Sequence, residues 1–174
     1  MTGSVVVSGG GCRGAGDRPR EGDHAGKDGE TRAHEQVARQ VLEVDAEQAV
    51  SNNVVDIAGW VLGTGDNRGL PFAIIDKEAA QVLIFDAEGK LQGLAPALLG
   101  SAVGDDSAPG VADRELKDIP ANDRTTPAGR FLAGYGPAAG GKTVLWVDYA
   151  TAISIHPLPK TSPKKEKRKD RLAS

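Results

Sequence analysis

From Pro71 to His156 the chain is a succession of short β-forming runs, each closed by turn residues, and this succession limits the fold more than any other feature. Phe72-Ala73-Ile74-Ile75-Asp76 and Gln81-Val82-Leu83-Ile84-Phe85-Asp86 flank Lys77-Glu78-Ala79-Ala80, a connection of hairpin length. Ala87-Glu88-Gly89-Lys90 then turns the chain into a run over 91–99. Three more runs follow a long polar excursion, at 131–135, 143–149 and 152–156. Arg124-Thr125-Thr126-Pro127-Ala128-Gly129-Arg130-Phe131 introduces the first of them. Two threonines, a proline and a glycine ahead of an apolar run read as a rigid turn that delivers the chain into a strand. Strands consecutive in sequence tend to pair, so a meander is expected. Its core is expected to contain Ile74, Val82, Ile84, Leu94 and Leu98. Asp76 and Asp86 close their strands, where a carboxylate accepts bonds from local backbone N–H groups; turn chemistry is expected of both.

Ahead of these strands the pattern is helical. Residues 31–49 place Ala33, Val37, Val41, Leu42 and Val44 among charges, a weak apolar stripe. The next helix is better marked. Ser51 or Asn52 can cap it, Val54, Val55, Ile57, Ala58, Val61 and Leu62 recur at helical spacing, and Gly63 and Gly65 stop it. Trp60 is expected to anchor this helix against the sheet. Residues 1–30 are rich in Gly, Asp, Arg and Lys with almost nothing apolar after Val7, so disorder is expected there.

Two glycine motifs invite a phosphate-binding function. Gly9-Gly10-Gly11-Cys12-Arg13-Gly14 fits the dinucleotide pattern, with Val5, Val6 and Val7 as a possible preceding strand. The helix that must follow is missing, since Ala15-Gly16-Asp17-Arg18-Pro19 comes next. Gly136-Pro137-Ala138-Ala139-Gly140-Gly141-Lys142-Thr143 matches the P-loop pattern residue for residue. A true P-loop opens a helix at Lys-Thr, whose dipole and N–H groups meet the phosphates. Val144-Leu145-Trp146-Val147-Asp148-Tyr149 follows instead, which predicts a hairpin with a glycine-rich tip. Asp105, Asp106, Asp113 and Asp118 in the loop over 104–123 match no calcium spacing and are expected to be solvated. Neither cofactor nor metal is expected.

Composition narrows the partners. Lys+Arg 21 against Asp+Glu 24 leaves a net charge of -3, which does not point to nucleic acid, although 159–174 form a basic tail. One cysteine excludes an internal disulfide. No apolar run approaches the ~20 residues that span a bilayer. The N-terminus has neither a basic n-region nor an apolar h-region, so no signal peptide is expected.

The order Ile74-Ile75-Asp76-Lys77, Phe85-Asp86-Ala87-Glu88-Gly89, Thr125-Thr126-Pro127-Ala128-Gly129-Arg130-Phe131, Trp146-Val147-Asp148-Tyr149 and Ala152-Ile153-Ser154-Ile155-His156 resembles the catalytic domain of the L,D-transpeptidases, the YkuD-like family. The resemblance covers the chain from about Val54 onward. It implies a mainly β domain that cross-links bacterial peptidoglycan, or attaches proteins to it, by acyl transfer through a cysteine thioester. It implies a place in the periplasm or cell envelope and peptidoglycan stem peptides as partners. His156 matches the family's histidine upstream of the nucleophile segment. The nucleophilic Gly-x-Cys segment has no counterpart after His156, and the sole thiol, Cys12, lies far upstream. A truncated domain, inactive alone, is therefore expected: 1–30 disordered, 31–65 a helical lead-in, 66–158 a partial L,D-transpeptidase-like antiparallel β domain, 159–174 the tail. A non-catalytic peptidoglycan-binding module is the alternative, and a P-loop nucleotide binder a third.

Overall fold

The structure, a computed structural model, describes residues 2–8, 31, 32, 35, 36, 50–138 and 140–157. The described chain is mainly β, a curled mixed sheet of seven strands with a helix against one face. The strands are β1 (Thr2–Ser8), β2 (Phe72–Asp76), β3 (Gln81–Phe85), β4 (Leu91–Pro96), β5 (Gly129–Pro137), β6 (Thr143–Asp148) and β7 (Ile153–Ile155). Their spatial order is β4-β3-β2-β1-β5-β6-β7. The six expected runs all form strands, and two meanders result, β2-β3-β4 and β5-β6-β7.

The strand between the meanders corrects the expectation for the N-terminus. Thr2–Ser8 is not disordered; it is the central strand. β1 runs parallel to β2, with Val6 opposite Ile74, and antiparallel to β5, with Val5 opposite Phe131. This is the one parallel pairing in a sheet otherwise antiparallel at every junction. Central strands are covered on both faces and so tolerate an unbroken apolar run such as Val5-Val6-Val7. A parallel neighbour requires a long crossover, and the α-helix of the connection between β1 and β2 packs on the sheet. Residues 9–30, with the dinucleotide-like motif and Cys12, lie outside the described residues. So do most of 31–49, where Thr31, Arg32, Glu35 and Gln36 are helical.

That helix, α1, spans Asn52–Thr64 as the spacing predicts. Ser51 is its N-cap, accepting from the Val54 N–H at 3.4 Å. Gly65 ends it in the left-handed region at φ 67°, where the Gly65 and Asp66 N–H groups close onto the carbonyls of Leu62 and Val61. Val54, Val55, Ala58 and Val61 form its buried stripe and pack on Phe72, Ile74, Leu83 and Phe85. The Phe72 and Phe85 rings stack at 4.8 Å. Trp60 is not the expected anchor: it is 41% exposed, because position 60 falls on the far side of the helix from Val55 and Ala58.

A second core fills the opposite face, built from Val5, Ala73, Ile75, Ala133 and Val147, with Phe131, Leu145 and Ile155 against it. β2 is buried along its whole length because both cores meet on it. Ile74 is core as expected, and Val82, Leu94 and Leu98 are partly buried. Ile84 is not core. It alternates with Leu83 and Phe85, both buried beneath α1, and so points away from the helix, where it remains 40% exposed. Gly89, at φ 83°, turns the chain between β3 and β4. A side chain there would overlap the Leu62 methyl groups, so glycine lets this turn lie against α1.

Candidate functional site

His156 follows β7, the edge strand, and is exposed. Its Nδ1 lies 3.0 Å from the carbonyl oxygen of Pro157. A carbonyl only accepts, so this is a hydrogen bond when Nδ1 carries the proton; the neutral ring then offers a free lone pair at Nε2. Such a nitrogen can take a proton from a nucleophile brought to it. Among the described residues there is no thiol, and Cys12 lies outside them.

The Arg124–Phe131 motif and His156 are not brought together. Ile155 pairs with Leu145, and Leu145 with Tyr135, so His156 lies toward the β5–β6 turn. Thr125 and Thr126 precede the opposite end of β5. Nine residues of strand intervene, on the order of 25 Å at the usual rise.

The threonines serve a different structure. Gly100 N–H donates to Thr126 Oγ1 at 2.8 Å, Ala102 N–H to the Arg124 carbonyl at 3.0 Å, and Ala102 bridges Thr125. These contacts close the long loop at its base. A Cβ at Gly100 would run into the Arg124 carbonyl, so the two chains touch through backbone. The expectation that the loop's carboxylates are solvated is corrected at Asp105. Asp105 Oδ1 accepts from Lys77 Nζ at 2.6 Å, and the same ammonium donates to the Gly104 carbonyl at 2.6 Å. Asp123 pairs with Arg114 at 2.6 Å. No group of three His, Cys, Asp or Glu suited to a metal occurs among the described residues.

Asp76 and Asp86 do the turn work expected of them. Asp76 Oδ1 accepts from the N–H groups of Glu78 and Ala79 at 3.0 and 3.1 Å, and its Oδ2 accepts from the Ser51 hydroxyl at 2.6 Å. Asp86 accepts from the N–H groups of Glu88 and Lys90 and from the Gln92 amide. Both carboxylates are occupied by structure.

The P-loop-like segment is the β5–β6 turn, with Pro137 opposite Thr143. Thr143 opens a strand, so the helix a phosphate loop needs is not there. The hairpin carries an aromatic pair that its glycine motif does not announce. Trp146 and Tyr149 stack at 4.7 Å with an interplanar angle of 25°. Trp146 Nε1–H donates to the Pro137 carbonyl at 3.2 Å. Three-residue spacing across a strand end gives no face-sharing signal; the turn after Asp148 folds Tyr149 back over the hairpin.

The fold thus defines a mainly β domain built on a curled mixed sheet, with an exposed histidine at its edge. Comparison with protein-family models, curated proteins and solved structures finds no match.

Proposed function

We propose that this chain carries the strand framework and the histidine of an L,D-transpeptidase-like domain of the bacterial cell envelope, acts on peptidoglycan, and as these 174 residues is not itself catalytic. The observation that supports it is the placement of His156: exposed at the sheet edge, with Nδ1 3.0 Å from the Pro157 carbonyl oxygen, so that a proton on Nδ1 is held by the backbone and leaves Nε2 as the acceptor. A histidine held this way is suited to receive the proton of a thiol. Acyl transfer also requires that thiol within hydrogen-bond reach and donors for the oxyanion. The sequence offers one cysteine, twelve residues from the start and far in sequence from His156.

The test has two arms. Mixed with a carbapenem, the purified chain is expected to show no stoichiometric adduct by intact mass; an adduct away from Cys12 overturns the non-catalytic assignment. Joined to a C-terminal segment bearing Gly-x-Cys, it is expected to acylate on that cysteine, and His156→Ala should slow the reaction by about 10²-fold, the usual contribution of a general base. A joined chain that never acylates, with His156 intact, counts against the transpeptidase reading.

A second reading is favoured by the stacked Trp146–Tyr149 pair, whose tyrosine is exposed: a non-catalytic module that binds peptidoglycan. Cosedimentation with purified sacculi supports it, and a chain that stays in the supernatant at every sacculus load refutes it.

A further inference from the structure

We propose that the Trp146–Tyr149 pair is a stacking platform for a neutral glycan, a chain of linked pyranose rings. The proposal deepens the peptidoglycan-binding reading and rests on it.

The two rings belong to neither hydrophobic core. Tyr149 is 66% exposed, yet its position is determined from two sides. Trp146 stacks on one of its faces, and the indole is itself held by the Pro137 carbonyl. Beneath both rings is Gly136: a Cβ there would lie 2.5 Å from the Tyr149 hydroxyl oxygen and 3.0 Å from Trp146 Cδ1. The glycine therefore makes the seat into which the pair fits. Holding an exposed ring in one place costs side-chain entropy, and a ligand that uses the ring no longer bears that cost.

The shape and charge of the platform select the ligand. One face of the tyrosine is taken by the indole, which leaves a single open face rather than a cage. An aromatic face is the negative side of the ring quadrupole and attracts weakly positive C–H groups. A pyranose presents such C–H groups on one face and keeps its hydroxyls at the rim, in water. Of the strand positions that alternate onto this side, Leu132, Gly134 and Gly136 of β5 and Val144 of β6 carry no charge, and Arg130, at the far end of β5, is paired with Asp66. The neighbouring carboxylate, Asp148, is engaged by the Ala150 N–H at 2.9 Å and the Thr151 hydroxyl at 2.6 Å. Exposed Lys142 at the tip of the same hairpin disfavours a cationic ligand. Leu132, 72% exposed, extends the uncharged surface along β5. Ser154 of β7 pairs with Trp146, and His156 follows two residues on, so a glycan on the platform lies alongside the strand that leads to the histidine.

The probe is the β-1,4-linked tetramer of N-acetylglucosamine, which contains no peptide. The chain has two tryptophans, so Trp60→Phe leaves Trp146 as the sole indole reporter. Titration is expected to change Trp146 emission saturably. Tyr149→Ala should weaken the apparent affinity about tenfold, the size of one lost aromatic contact, and Tyr149→Phe should retain it. Circular dichroism of each variant confirms the fold; if Tyr149→Ala fails to fold, Leu132→Asp, on the exposed flank of the same surface, replaces it with the same expected direction. An unchanged emission up to the solubility limit of the sugar overturns the proposal. So does an emission change that Tyr149→Ala leaves intact, or one produced by a Pro-x-x-Pro peptide and not by the sugar. Failure with the tetramer while the chain still sediments with sacculi removes the platform and leaves the binding module. Failure of both removes the module as well.

Discussion

Asp76 shows how a charged residue at a strand end can be read as chemistry or as structure. It is 3% exposed, and all of its partners are local or structural: two N–H groups of the β2–β3 turn and the hydroxyl that caps α1. The carboxylate thus fastens the start of the helix to the end of the strand beneath it. Asp76→Ala strands three donors, and hydrogen bonds to a charged group are worth about 1.5–3 kcal/mol each, with losses at one site far from additive. The expected loss of stability is about 3 kcal/mol, measured by urea unfolding. Asp76→Asn keeps an acceptor for the turn and is expected to lose less than half of that. A variant as stable as the parent would show that the turn and the cap hold without the carboxylate. The turn role of Asp76 was legible because strand-end aspartates bond their own backbone. The link to Ser51 was not, since nothing in the spacing of 25 residues says that a helix start and a strand end will meet.

Among the elements, the hairpins and α1 follow from local rules, and the loop after β4 does not. Proline, glycine and polar residues over 104–123 announce an irregular excursion. They do not announce that its base is closed by the Ala102–Thr125 bridge, or that Lys77 reaches from the β2–β3 turn to Gly104 and Asp105. The Lys77 side chain is 14% exposed and that of Asp105 26%, so this clasp is less screened than a surface ion pair. Lys77→Met is expected to speed limited proteolysis within 104–123 while moving the global melting temperature little, because neither core loses a contact. A proteolysis pattern identical to the parent's would mean that the backbone bridge alone holds the loop. The same distinction applies to the Arg124–Phe131 stretch. Its role as an entry to a strand was plain from the sequence; that Thr126 seals a loop rather than joining His156 required the register of β5, β6 and β7.

For the whole molecule, everything turns on Thr2–Ser8. Without β1 the two meanders have no common sheet, since β2 and β5 meet only through it. Val5 is 1% exposed and lies in the second core. Val5→Asp places a carboxylate in that core with no partner, a change expected to cost more than about 4 kcal/mol and to abolish cooperative unfolding in a domain whose margin is about 5–15 kcal/mol. Calorimetry decides it: a retained transition near the parent's would mean that β1 is dispensable. By itself the sequence determined the alternation of strands and turns, the limits of α1, the work of Asp76 and Asp86, and the absence of a helix after Lys142-Thr143, because each depends on neighbours a few positions away. Only the tertiary structure decided that an apolar triplet beside a glycine-rich stretch is the centre of the sheet. It alone separated His156 from Thr125 and Thr126, and set Tyr149 against Trp146 over a glycine. Those are relations between segments distant along the chain, and they are fixed by which surfaces can be buried together rather than by what any one segment prefers.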